Sequence, residues 1–147
     1  MIDSQTCQII QQILHDESRT LLQYACEAFP RFSAADKSEL ALLQARADQE
    51  LAAARAAAVW LSRQGKQPLP MDPYPAWYLQ INFISVAFLL PQLEKEHRAA
   101  IDRLTAALGR LTNPEAKSLV QAILVQKQMT LALLTKQDTP ALAGAGH

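Results

Sequence analysis

The sequence predicts an all-α fold, an antiparallel four-helix bundle built as one domain, and three observations carry that prediction. Half of the 147 residues are hydrophobic but only four are glycine, and Ala, Leu and Gln, which favour helix, fill the long stretches between prolines. Along four such stretches apolar residues recur at alternating steps of three and four, the spacing that keeps one helical face buried. Prolines, a glycine and an Asn-Pro pair mark the boundaries between them. A chain of this length suits a single compact domain and buries roughly two-thirds of its unfolded surface.

Helix A is expected from Ser4, a capping residue, to Phe29, because Pro30 forbids continuation. Ser33-Ala34-Ala35-Asp36 resembles a capping box with Asp in place of Glu and opens helix B, which runs to about Gln64, where Gly65 can take the left-handed closing position. Residues 66–75 hold four prolines and read as an extended connector. Helix C begins between Ala76 and Ser85 and ends near Gly109, with Pro91 inside it as an expected kink. Asn113-Pro114-Glu115 supplies a cap, a proline at the first helical position and an acid in the first turn, and so opens helix D, which reaches about Lys136. The bundle thus occupies residues 1–136, and residues 137–147, small and without a periodic face, are expected to form a flexible tail.

Fourteen Lys plus Arg balance fourteen Asp plus Glu, so no long-range field draws in nucleic acid or an anionic membrane. The apolar run from Trp77 to Leu90 carries Gln80 and Asn82 and stops at Pro91, too short and too polar to span a bilayer. The N-terminal residues lack the pattern of a secretory signal, which makes the cytoplasm the expected location. Cys7 and Cys26 lie roughly 28 Å apart if both sit on helix A, at about 1.5 Å per residue, and are read as free thiols that fill space.

A bundle buries one seam per helix. The seam of helix A reads Cys7, Ile10, Leu14, Glu17, Leu21, Tyr24, Ala28, and that of helix B reads Leu40, Leu43, Ala47, Glu50, Ala54, Ala57, Leu61. Each apolar row is interrupted by one carboxylate near its middle. On helix C either Glu96 or, one position on, His97 faces inward, and on helix D the interrupting polar residue is Gln126. Residues equally far from a hairpin turn lie level, which places Glu17 with Glu50 and Glu96 with Gln126, all in one layer. Buried carboxylates are costly unless protonated, hydrogen-bonded or neutralised by a cation, so such a layer requires a partner.

Through these residues the chain resembles the ferritin-like superfamily, which includes bacterioferritins and rubrerythrins. The resemblance covers residues 4–136 and rests on helix order, on Glu17, Glu50 and Gln126, and on the end of helix B from Trp60 to Pro68. It implies two helices that each give a lone Glu and two that each give Glu-x-x-His, holding two iron or manganese ions. The chain departs from that pattern at Glu50-Leu51-Ala52-Ala53 and at Gln126-Lys127-Gln128-Met129, where both histidines are missing. Glu94-Lys95-Glu96-His97 supplies a Glu-x-x-His on helix C instead, so Glu17, Glu50, Glu96 and His97, with Glu94 as the alternative to Glu96, form a reduced set for a single divalent ion. The competing reading of this stretch is a solvated charge run with pairs such as Glu94 to Arg98. The resemblance also implies a long crossover between parallel helices B and C. Either helix C starts near Ser85, leaving connector enough, or the bundle is simple up-down-up-down, since ten extended residues reach only about 35 Å.

The function this reading favours is a non-catalytic binding or structural bundle that has lost the di-iron site, acts as a homodimer and keeps no cofactor. The aromatics Trp60, Tyr74, Trp77 and Tyr78 are candidates for the interacting face, or else a plug on one end. The alternative is an oxidoreductase or storage protein holding iron, manganese or zinc in the reduced ligand set. A third expectation, a small apolar ligand, follows from the room left by Ala47, Ala53, Ala54, Ala57 and Ala58.

Overall fold

The computed structural model describes residues 3–28, 37–69, 73–75, 78 and 86–145. Among them all regular structure is helical: α1 Ser4–Glu17, α2 Leu21–Ala28, α3 Lys37–Arg63, α4 Val86–Arg110 and α5 Pro114–Ala145. Residues 18–20 alone separate α1 from α2, so the chain folds as four helical lengths, the first of them broken. No helix among the described residues is long and apolar enough to cross a membrane.

The break corrects the expectation of one continuous helix A, and its cause is local. The Ser18 hydroxyl donates to the His15 carbonyl at 2.7 Å, closing α1, and the Gln23 N–H donates to the Thr20 hydroxyl at 3.2 Å, capping α2. Ser and Thr compete with the helical ladder in this way. The cap of α1 is Asp3 rather than Ser4: its carboxylate accepts from the Thr6 N–H at 2.7 Å. The expected Ser33 to Asp36 capping box lies outside the described residues.

Helix α3 ends as anticipated. Gly65 takes a φ of +73°, its N–H donates to the Ser62 carbonyl at 2.9 Å and the Lys66 N–H reaches back to Leu61 at 3.2 Å, the two bonds of a Schellman motif. Helix α4 is described from Val86, and the expected start of helix C between Ala76 and Ser85 lies outside the described residues except for Tyr78; α5 is capped by Asn113, whose side chain accepts from the Ala116 N–H at 2.9 Å. Helix α5 continues past Lys136 to Ala145. Ala141, Leu142 and Ala143 favour helix, and Pro140 does not end it.

Two apolar clusters form the core. The first joins Ile10 and Leu14 of α1, Ala57 and Leu61 of α3, Leu104 and Leu111 of α4, and Val120 and Ile123 of α5. The second joins Leu21 and Leu22 of α2, Leu40 and Leu43 of α3, Leu89 and Leu93 of α4, and Leu134 of α5. Between them runs a short stretch of every helix that belongs to neither cluster, and the site lies there. The expected aromatic face is not exposed: Trp60 is buried in the first cluster and donates to Glu115 at 2.9 Å, while Tyr78 is buried in the second, in ring contact with Tyr24 and Tyr74. Their flat apolar area is spent on packing within the chain. Trp77 lies outside the described residues.

Candidate functional site

Each helix places one polar residue between two cluster residues: Glu17 between Leu14 and Leu21, Glu50 between Ala47 and Ala54, His97 between Leu93 and Leu104, and Lys127 between Leu124 and Leu134. All four are buried, as is Thr130 one turn beyond Lys127. Lys127 Nζ donates to Glu17 at 2.9 Å and to Glu50 Oε1 at 2.6 Å. Glu50 Oε2 accepts from the Thr130 hydroxyl at 2.6 Å and lies 2.8 Å from His97 Nε2, and His97 Nδ1 donates to the Leu93 carbonyl at 2.9 Å. Thr130 in turn accepts from Arg46 Nε at 3.1 Å.

This arrangement answers the electrostatic problem posed by two carboxylates in an apolar core. Burial disfavours the charged form of Glu50, but the Lys127 ammonium and the His97 hydrogen bond outweigh it and hold the carboxyl down at about 2. Burial likewise disfavours a charged lysine, and Glu17 and Glu50 together more than reverse this, so the Lys127 ammonium is held above the ordinary lysine range. Both ring nitrogens of His97 are engaged, Nδ1 with the Leu93 carbonyl and Nε2 with the Glu50 carboxylate. Lys127, Glu50 and His97 each have polar partners within the layer, as a buried ion cluster requires.

Of the residues singled out in the sequence, Glu17, Glu50 and His97 come together. Glu96 does not join them: it is half-buried at the rim, accepting from the Leu21 N–H at 2.9 Å and from the Tyr78 hydroxyl at 3.3 Å. Burial and the Glu96 charge push the Tyr78 phenol above its ordinary range. Glu94 makes the helical pair with Arg98 at 2.9 Å. Gln126 turns to Arg46, whose guanidinium donates both to its side chain and, at 3.1 Å, to its carbonyl. Cys7 is buried, while Cys26 is half-buried with its thiol pushed up to about 12 by desolvation and by Asp48, Glu50 and Glu27.

The residue that sequence reasoning passed over is Lys127. Steps of four and three from Ala116 through Val120 and Ile123 lead to Lys127, Thr130 and Leu134, all buried, whereas steps through Leu119 lead to Gln126. Lysine is almost never fully buried without a pair, and the apolar spacing by itself does not single it out. The signal that would have selected Lys127 was charge: two level carboxylates call for a cation.

The donors present do not fit a divalent ion in this arrangement. An ammonium already bonds both carboxylates, the His97 nitrogen is turned onto Glu50, Glu96 faces away, and among the described residues no group of three or more His, Cys, Asp or Glu is placed to hold a metal. Of the alanines expected to leave room for a ligand, Ala47, Ala54 and Ala57 are packed in the clusters, and a groove of about 200 Å³ lies beside Ala54 and Ala58, lined also by Leu14, Leu51, Pro68 and Leu69. No protein-family model, curated protein or solved structure matches this chain.

Proposed function

We propose that this chain is an antiparallel four-helix bundle of ferritin-like descent in which a lysine ammonium has taken over the charge-neutralising role of a metal ion, and that it works as a non-catalytic binding or structural protein. The observation that carries this reading is the position of Lys127 Nζ, within hydrogen-bonding distance of both Glu17 and Glu50. One ammonium bonds both buried carboxylates, so the groups that would ligate a metal are already committed to a cation of the chain itself.

The packing supports the topological part. As residue numbers fall along α3 from Trp60 through Glu50 to Arg46, the partners on α5 rise from Glu115 through Lys127 to Thr130. Helices α3 and α4 both pass from the second cluster to the first, while the α1–α2 length and α5 pass from the first to the second. That order favours parallel α3 and α4 joined by a crossover through residues 64–85, with antiparallel neighbours on either side.

Metal analysis tests the reading. Protein purified without chelators, and again after incubation with ferrous, manganous or zinc ions, is expected to carry none in stoichiometric amount at neutral pH. One tightly held ion per chain that survives gel filtration rejects it in favour of a metal-dependent bundle.

A further inference from the structure

One carboxylate of the buried layer is under-bonded. Glu50 meets Lys127, His97 and Thr130, whereas among the described residues the Glu17 side chain accepts from Lys127 alone. That bond, at 2.9 Å, engages Glu17 Oε1 and leaves Oε2 without a donor from those residues. Glu17 is only 5% exposed, and a carboxylate oxygen held out of bulk water without a donor is costly.

Two openings border Glu17. One, beside Ile13 and Arg103, measures about 10 Å³ and has room for no more than a water molecule. The other is the groove of about 200 Å³ between α1, α3 and the connector. Its apolar walls are Leu14, Leu51, Ala54, Ala58, Pro68 and Leu69, and its polar residues are Glu17, Ser18 and Arg55. The Ser18 hydroxyl is committed to the His15 carbonyl. Arg55 is exposed and makes no ion pair among the described residues, so its guanidinium is free to turn into solvent.

We infer that this groove binds a primary ammonium ion with a small apolar body, its N–H donating to Glu17 Oε2 and its hydrocarbon part lying against Leu14, Leu51, Ala54 and Ala58. Charge selects the head group. A carboxylate would meet Glu17 as a like charge, and an alcohol would donate a neutral hydrogen bond roughly half as strong as that of an ammonium. A second cation also suits a layer in which Glu17 and Glu50 share one lysine. A divalent metal is not equivalent, since a single open oxygen satisfies one N–H but supplies only one of the several ligands such an ion takes. Volume limits the body. A cavity of about 150 Å³ holds a six-carbon ring, so this groove suits a chain or ring of roughly six to eight carbons. The inference rests on the reading of the chain as a metal-free binding bundle. Uptake of metal rejects that reading, whereas metal-free protein that ignores amines rejects this inference alone.

Calorimetric titration of the full chain at neutral pH with hexylammonium, hexanol and hexanoate tests it. Hexylammonium is expected to bind once per chain with a dissociation constant at or below about 1 mM, hexanol at least about 10-fold more weakly, and hexanoate not at all. Ala58→Phe fills the groove from a half-buried position two turns beyond Glu50 and is expected to abolish binding with helicity unchanged. Arg55→Gln removes the like charge at the mouth and is expected to tighten hexylammonium about 3-fold. Glu17→Gln, if circular dichroism shows it folded, is expected to weaken it at least about 10-fold; if it does not fold, the other two variants decide. A titration that shows no saturation up to about 10 mM overturns the inference. So does hexanoate that binds as well as hexylammonium, an Ala58→Phe or folded Glu17→Gln variant that binds like the wild type, or an Arg55→Gln variant that binds more weakly.

Discussion

Lys127 on α5 bonds Glu17 on α1 and Glu50 on α3 at once, at 2.9 and 2.6 Å, so one ammonium ties together three helices that no covalent link joins at that level. The layer lies between two apolar clusters rather than at an end of the molecule, and it therefore sets the register of the helices as well as their charge balance. An ion pair of this kind is weak support for stability as such, since well-packed apolar residues often do as well. Its strength is specificity: displacing α5 by one turn takes the ammonium from both buried carboxylates.

Acid should unfold this protein through Glu50. The group's folded value is depressed from 4.5 to about 2, so its contribution is complete above the unfolded value and is lost as pH falls from about 4.5 toward 2. The linkage amounts to something on the order of 3 kcal/mol. Urea titrations at pH 7, 5 and 3 should show the midpoint falling mainly between the last two, and the Glu50→Gln variant should be flatter over that interval. A midpoint that does not move between pH 5 and pH 3 contradicts the assignment.

The half-buried Cys26 should be sluggish toward alkylation. With its thiol pushed up to about 12, the reactive thiolate is scarce at pH 8, and iodoacetamide should modify it at least about 100-fold more slowly than an unfolded control. Peptide mass spectrometry over a time course reads the rate, and labelling at the control rate would count against the burial described.

Glu96 should matter to stability through the helix break. Its carboxylate accepts from the Leu21 N–H and the Tyr78 hydroxyl, so Glu96→Ala removes partners of two part-buried donors and should cost about 1–3 kcal/mol in urea unfolding. Glu96→Gln keeps one acceptor oxygen and should cost less. Equal costs for the two variants would show that the carboxylate position is not what holds the start of α2.

Gly65→Ala should destabilise by about 1 kcal/mol, measured as a lowered unfolding midpoint. No atom lies within 4 Å of an added methyl, and the cost arises from the backbone φ of +73° alone. A neutral effect would mean that the Schellman end of α3 is not held.

Helix order, the Gly65 and Asn113 ends, and the convergence of Glu17 and Glu50 were legible because each rests on local chemistry or on seam spacing. The break at residues 18–20 was not, because Ser18, Arg19 and Thr20 sit within an unbroken apolar period, and the Ser and Thr side chains override it only once their backbone bonds form. Lys127 was not legible for a related reason: a one-position shift on α5 hardly alters the apolar pattern, so seam spacing leads to Gln126 as readily as to its neighbour. The same shift on α4 exchanges Glu96 for His97. Both were decided by the requirement that buried charges be paired, a condition on four helices together that no single helix displays.

A double-mutant cycle on Glu50 and Lys127 tests the central claim most directly. Unfolding free energies of the wild type, Glu50→Gln, Lys127→Met and the double variant are expected to give a coupling of at least about 2 kcal/mol, with Lys127→Met alone costing about 3–5 kcal/mol because it strands two buried carboxylates. Additivity within about 0.5 kcal/mol would contradict it, since the ammonium would then not be what neutralises Glu50.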